Sequence, residues 1–117
     1  MNPLDGSNCI FCKIIAGTIP CNKVHEDDQV LAFHDINPWA PVHVLLIPKR
    51  HIVSMADVMP SDAGLLGHML TLSTHLMKEL GVHNGFRHFI NTGADGHQEV
   101  QHLHVHVMGG PRPWAKG

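Results

Sequence analysis

The sequence predicts an α+β domain: an antiparallel sheet of about five strands, one long helix and a short N-terminal helix. Two patterns carry that prediction. His102-Leu103-His104-Val105-His106-Val107 alternates imidazole and apolar side chains with the period of two that marks a half-buried strand. Residues 62–80 instead repeat Leu65, Leu66, Met69, Leu72, Leu76 and Leu80 at helical spacing. Clusters of Gly, Pro, Asn and Asp divide the other apolar runs into strand-length pieces.

In chain order, Ser7 or Asn8 can cap a short helix over 9–15, with Gly17 as its stop. Residues 22–26 and Val30–His34 read as a hairpin around Asp27-Asp28-Gln29. A turn-rich loop over 34–41 leads into 42–47, an apolar run expected to be a central strand and ended by Pro48. Residues 54–58 read as a short helical turn, Ser61 as the cap of the long helix over 62–80, and Gly81 as its close. Strands over 86–91 and 101–108 flank a glycine-rich segment. One domain over 1–117 is expected, with a core of about 8–110 and a tail over 111–117.

Formal net charge is −2, and the 8 Lys and Arg residues are scattered, so no basic stripe for nucleic acid exists. Twelve histidines suit a small anionic ligand better than a polyanion. Three cysteines, an odd number, do not read as a disulfide framework. No basic-then-apolar leader and no apolar run of about 20 residues is visible, so a cytoplasmic protein without membrane attachment is expected.

The histidine row constrains its own chemistry. Neighbours stand ~6.6 Å apart along a strand and the outer pair ~13 Å. One metal ion cannot take His102, His104 and His106 together, because a Zn–N bond is only about 2.0–2.1 Å. One phosphate can touch two neighbours and leave the third for another task. Cys9-Ile10-Phe11-Cys12 is a C-x-x-C, by itself half a zinc site.

Segment 91–110, with the motif His102-Leu-His104-Val-His106-Val-Met, resembles the histidine triad (HIT) family of nucleotide-binding proteins. Further matches are Ile10-Phe11-Cys12-Lys13-Ile14-Ile15, Ile19-Pro20, Ala32-Phe33-His34-Asp35-Ile36-Asn37-Pro38 and Ala40-Pro41-Val42-His43-Val44-Leu45-Leu46-Ile47-Pro48-Lys49. Several ordered blocks together are far more specific than the triad alone. The branch it looks most like is the small nucleoside phosphoramidase branch.

That resemblance implies a HIT-like fold, a homodimer whose two sheets join edge to edge, and hydrolysis of purine nucleoside 5′-phosphoramidates, releasing AMP or GMP. No cofactor is required for that catalysis. His104 corresponds to the nucleophile, attacking phosphorus to give a nucleotidyl-histidine. It needs its other nitrogen held, and His43 matches the family histidine in that part of the site. His106 is expected to donate to a phosphate oxygen and help protonate the leaving group. The two roles want opposite charge states, so a bell-shaped pH profile is expected.

Asp35 is placed for the ribose hydroxyls, with His34 beside it. Phe11, Ile14, Ile19, Phe33, Ile36 and Leu45 are expected to form an apolar slot for the base, with little discrimination between adenine and guanine. Asn91, Gln98 and the amide of Val100 are the expected phosphate donors in a glycine-rich loop. The chain departs from the family pattern at His97, where Gly is frequent, and at Glu99, where Ser occurs. Glu99 is expected to face the leaving group and favour an amine there. Equivalents of Cys9, Cys12, His51 and His102 hold a structural Zn²⁺ in some relatives, so a Cys₂His₂ site is an expectation here too. Trp114 is expected to fold over a dimer partner's site. Two other functions compete: a dinucleoside polyphosphate hydrolase, and a nucleotide- or partner-binding regulator with incidental turnover. A zinc hydrolase fares poorly, since no general-base carboxylate accompanies the histidines.

Overall fold

The computed structural model describes residues 8–117. The short helix α1 (Ile10–Ile15) precedes strands β1 (Lys23–Glu26), β2 (Val30–His34) and β3 (Val42–Pro48). The long helix α2 (Ala63–Glu79) follows, then β4 (Phe86–Phe89) and β5 (Val105–Gly109). The strands form one sheet in the order β1-β2-β3-β5-β4, with every neighbouring pair antiparallel.

Alternation sorts the sheet into two apolar layers. Val30, Ala32, Val44, Leu46, Val105 and Val107 pack under α2, against Met69, Leu72, Leu76 and Met77. Leu31, Phe33, Leu45 and Ile47 point the other way and meet Phe11 of α1. Both faces of β3 are therefore covered, which is why its sequence is an apolar run rather than a clean alternation. Leu45 pairs with His106 in the ladder, so His106, the histidine of β5, emerges on the α1 face. α1 is too short to stand alone. Phe11 anchors it by burial against β2 and β3.

Helix caps differ from expectation. The thiol of Cys9 accepts the Cys12 N–H at 3.3 Å and makes Cys9 the N-cap of α1. Asn8 does not cap it, and Ser7 lies outside the described residues. Ser61 falls inside a 3₁₀ turn, Pro60–Asp62, and Asp62 takes the N-cap position of α2. Gly81, at φ +82°, closes α2 in the left-handed conformation. Asp27 ties the β1–β2 turn to α2. One carboxylate oxygen accepts the N–H groups of Gln29 and Val30, and the other bonds His25 at 2.9 Å and His68 at 2.7 Å.

The last strand begins at Val105, not 101, and β4 ends at Phe89 rather than 91. One diversion explains both. The Leu103 N–H bonds to Ile52 O at 2.7 Å, and the His102 ring takes the Pro48 carbonyl at 2.8 Å. The chain before Val105 thus leaves the ladder, and the residues after Phe89 lose their strand partner. No helix among the described residues is long and apolar enough to cross a membrane.

Leu46 is fully buried between β2, β5 and α2. Replacing Leu46 by Ala is expected to cost about 2–5 kcal/mol, read as a lowered denaturant midpoint at constant m-value.

Candidate active site

On the α1 face a cavity of about 560 Å³ opens between α1, the loop after β2 and the segment before β5. Phe11, Ile14, Ile19, Phe33, Ile36 and Leu45 line it, together with His34, Asp35, Asn91, Glu99, Val100, His104 and His106. Of the residues expected to touch a nucleotide, Gln98 alone is not on this wall. Its amide is consumed by backbone: Nε2 donates to Val53 O at 2.6 Å and Val100 O at 3.0 Å, while Oε1 accepts the Gly93 N–H at 2.9 Å. Gln98 therefore shapes the loop and is not free to donate to a phosphate.

Backbone partners fix the imidazole tautomers, since a carbonyl only accepts and an N–H only donates. His104 Nδ1 lies 2.8 Å from its partner, the His102 carbonyl, so Nδ1 carries the proton and Nε2 a lone pair. Trp39 N–H donates to His43 Nδ1 at 3.0 Å, so His43 Nε2 carries hydrogen. His43 Nε2 in turn donates to His106 Nδ1 at 3.0 Å, leaving His106 with its proton on Nε2. The holder of His104 is thus the His102 carbonyl. His43, buried behind the wall, orients His106 instead.

The wall consequently offers a neutral nucleophilic nitrogen beside a neutral N–H donor, with the two rings 4.9 Å apart. Burial keeps both histidines uncharged. It holds His104 below the usual imidazole range, with the His102 carbonyl and the charges of Asp35 and Glu99 opposing. Burial, then the neighbouring His104 and His43, push His106 down to about 3. The opposite charge states expected of the pair are not those of the ligand-free site.

Phe89 stacks on His106 at 4.0 Å between ring centroids, and Trp39 stacks on Phe89 at 5.4 Å. Sequence reasoning missed both residues. A signal existed for Phe89, which is the β4 neighbour of His106 in the ladder. Asp35 accepts the Asn37 N–H at 2.8 Å through Oδ1 and stands 3.6 Å from His43 through Oδ2. Asp35, His43 and His106 lie close enough to hold an ion. The tautomer argues against it, because His43 Nε2 bears a hydrogen rather than a lone pair. His97 also lines the cavity, with φ at +60°, a left-handed conformation unusual for a residue with a Cβ.

A second cluster lies behind the first. Ligand atoms of Cys9, Cys12, His51 and His102 all fall within 4.8 Å of one another. His102 Nδ1 is 3.3 Å from Cys9 Sγ, 3.5 Å from Cys12 Sγ and 3.1 Å from His51 Nδ1. A tetrahedral ion with ordinary Zn–S and Zn–N bonds would set such edges at about 3.4–3.6 Å. His102 donates through Nε2 to Pro48 O, which turns a lone pair on Nδ1 toward the thiols. Burial, then the hydrogen bond and charge of Cys9, push the Cys12 thiol up to about 11. The donor set and its tautomer fit a tetrahedral cation. The Trp114 indole N–H donates to Gly110 O at 3.0 Å, and Lys116 lines the cavity.

A family model described as "Scavenger mRNA decapping enzyme C-term binding" matches residues 8–115. Protein HitA of Neisseria gonorrhoeae is 51% identical over 104 residues, spanning 89% of this chain and 97% of that protein. The chain belongs to the histidine triad family. A HIT family hydrolase from Legionella pneumophila superposes with a TM-score of 0.87 at 44% identity, covering 90% of this chain and 95% of the other. A histidine triad protein from Clostridium difficile gives 0.87 at 45% identity, covering 92% and 94%. The HIT assignment agrees with the fold and with the motif blocks from which it was expected.

The depressed histidines give stability a pH dependence of definite sign. An unfolded chain protonates each imidazole near 6.5, while the folded chain keeps His106 neutral to about 3. Below pH 6.5 the unfolded state binds more protons, so stability falls as pH falls, by about 1.4 kcal/mol per pH unit for each such histidine. Thermal melts from about pH 8 to 4 should be flat above about 6.5 and drop below it. A melting temperature that rises on acidification is the contrary result.

Proposed function

We propose that this HIT protein hydrolyses purine nucleoside 5′-phosphoramidates through a covalent nucleotidyl-His104. The observation that carries the reading is the His102 carbonyl on His104 Nδ1, which leaves the Nε2 lone pair on the cavity wall. His104 Nε2 forms a bond to phosphorus while the phosphorus–nitrogen bond breaks. The charge of a bound phosphate anion favours the protonated form of His106, whose Nε2–H then donates to a phosphate oxygen and supplies a proton to the departing amine, leaving His106 neutral, an assistance of about 10²–10⁴-fold. Water then attacks the same phosphorus and gives a proton back to His106 as the bond from phosphorus to Nε2 breaks, so AMP or GMP departs and His104 recovers its lone pair. Asp35 Oδ2 takes the ribose hydroxyls. The apolar slot around Phe33, Ile14 and Ile19 takes the purine and reads little of its edge. Two copies joined through the open edge of β4 are the expected assembly, supported by the half-exposed Leu70 on α2. The free thiols of Cys9, Cys12 and Cys21 suit a reducing compartment such as the cytoplasm.

Rapid mixing with adenosine 5′-phosphoramidate, read by intact-protein mass spectrometry, tests the chemistry. Wild type is expected to carry an acid-labile adduct of about one AMP. His104→Ala should carry none and lose roughly 10⁴-fold or more in kcat/KM, while AMP binding stays within a fewfold. Turnover that survives in His104→Ala would sink the covalent route.

Cys9, Cys12, His51 and His102 are proposed to hold one structural Zn²⁺, whose part is to crosslink α1 to the segment before β5. Elemental analysis is expected to find about one zinc per chain, and none in a Cys9→Ser, Cys12→Ser variant. A metal present at about 1,000 times its Kd would add about 4 kcal/mol, so chelation should lower the melting temperature. Absence of zinc from wild type, with identical melts with and without chelator, would remove the ion from the description.

A further inference from the structure

The two thiols of the second cluster are placed for each other as well as for an ion. Cys9 Sγ accepts the Cys12 N–H at 3.3 Å, so its side chain turns back over the first turn of α1. Both sulfurs belong to a set of ligand atoms within 4.8 Å of one another, and they meet His102 Nδ1 at 3.3 and 3.5 Å. Residues three apart on a helical turn set their Cα atoms about 5 Å apart. A disulfide takes Cα separations of about 4.4–6.8 Å, so rotation of the side chains is enough to bring these sulfurs to bonding distance. Both residues are half-buried, so a small oxidant reaches them.

The same sulfurs fasten the start of α1. With 6 residues the helix is too short to hold its conformation alone. Phe11 fixes its middle by burial against Leu31, Phe33, Leu45 and Ile47. Cys9 ties its start to His102, and Cys12 ties it to His102 and, at 3.2 Å, to His51. The cavity depends on these fastenings, since Ile10, Phe11 and Ile14 are its α1 wall. Phe11, between the two cysteines, also sets its ring centre 5.1 Å from that of His104. A disulfide sulfur has no hydrogen to donate to an imidazole and no thiolate charge to give to an ion. Closing the disulfide therefore unties the start of α1 from His51 and His102.

We propose that Cys9 and Cys12 are a reversible redox site: hydrogen peroxide closes them into a disulfide, and the cavity then holds its ligand less tightly. One sulfur attacks a peroxide oxygen, the O–O bond breaks, and a sulfenic acid and one water result. The second sulfur attacks the sulfenic sulfur, the S–O bond breaks, and the oxygen leaves as a second water. The two thiols lose two electrons and two protons in all, and the peroxide gains them. A dithiol reductant reverses the change by exchange. Transient disulfides of this kind are the ones a reducing compartment admits. The disulfide and a structural Zn²⁺ exclude one another, because the ion needs both thiolates. The thiol chemistry stands on the geometry alone, and its effect on binding rests on the phosphoramidase reading for AMP as the probe.

The test treats the purified protein with hydrogen peroxide, with and without prior chelation. Intact mass, AMP affinity by calorimetry and hydrogen exchange of the α1 amides are then read. Wild type and Cys21→Ser should each lose about 2 Da, one disulfide per chain, and regain it in dithiothreitol. Oxidation should weaken AMP binding by about two- to tenfold, the scale of a lost hydrogen bond, and speed exchange in α1. Cys9→Ser keeps an oxygen that caps α1, so it folds, and it should show neither the mass loss nor the change in affinity. No reversible mass loss in wild type, or the same loss in Cys9→Ser, overturns the redox site. A disulfide that leaves α1 exchange unchanged, or AMP affinity unchanged where AMP binds, overturns its coupling to the cavity. If the reduced protein binds no AMP, the nucleotide reading fails and α1 exchange decides alone. Faster exchange in the oxidised chain then upholds the switch, and equal exchange rejects it.

Discussion

The bond on which the site depends joins two residues of the same strand end: His104 Nδ1 to the carbonyl of His102. A carbonyl oxygen can only accept, so this contact decides which nitrogen of His104 is nucleophilic and points it into the cavity. The same rule repeats across the site. Pro48 O fixes His102, and Trp39 N–H fixes His43 and, through it, His106. Four imidazoles of identical chemistry become a lone pair on the cavity wall, a donor, an orienting group and a lone pair aimed at two thiols. Main-chain atoms do this better than side chains, because they hold their positions without freezing further rotamers.

Burial supplies the other half. An imidazolium would neither attack phosphorus nor rest among other histidines, and the surroundings of this site disfavour it. Phe89 and Trp39 stack over His106, and Phe11 sets its edge against both His102 and His104. These contacts keep the rings neutral at neutral pH, and folding loses stability in acid as the consequence. The aromatic shell therefore serves reactivity as well as packing.

Much of this was legible in the sequence, and the residues that were not share a cause. The period of two across His102–Val107 named the face, and the helical repeat of 62–80 named the layer beneath it. The apolar lining and Asp35 came from motif blocks, and the structure brings them to one cavity. Side chains that bond backbone were misread. Gln98 looks like a phosphate donor until its amide is seen to be spent on Gly93, Val53 and Val100. Cys9 looks like a ligand alone, yet it also caps α1. Lys116 left no sequence signal, because its place depends on a tail folded back over Trp39, a contact between residues far apart in the chain.

The late start of β5 reconciles the remaining tension. A strictly regular strand would put all three triad histidines in one row with the same surroundings, ~6.6 Å apart. Here the ladder stops at Val105, and the chain before it bends to reach Ile52 and Pro48. That bend sinks His102 into the thiol cluster while its carbonyl stays under His104. His102 thus belongs to both clusters, by its ring to one and by its backbone to the other. A displacement of the His102 ring that carries its backbone along also moves the carbonyl that orients His104, and a shift of about 1 Å at such a group is large on the scale of a hydrogen bond. The cysteine cluster lies outside the cavity, yet its geometry and that of the reacting nitrogen are set by one residue.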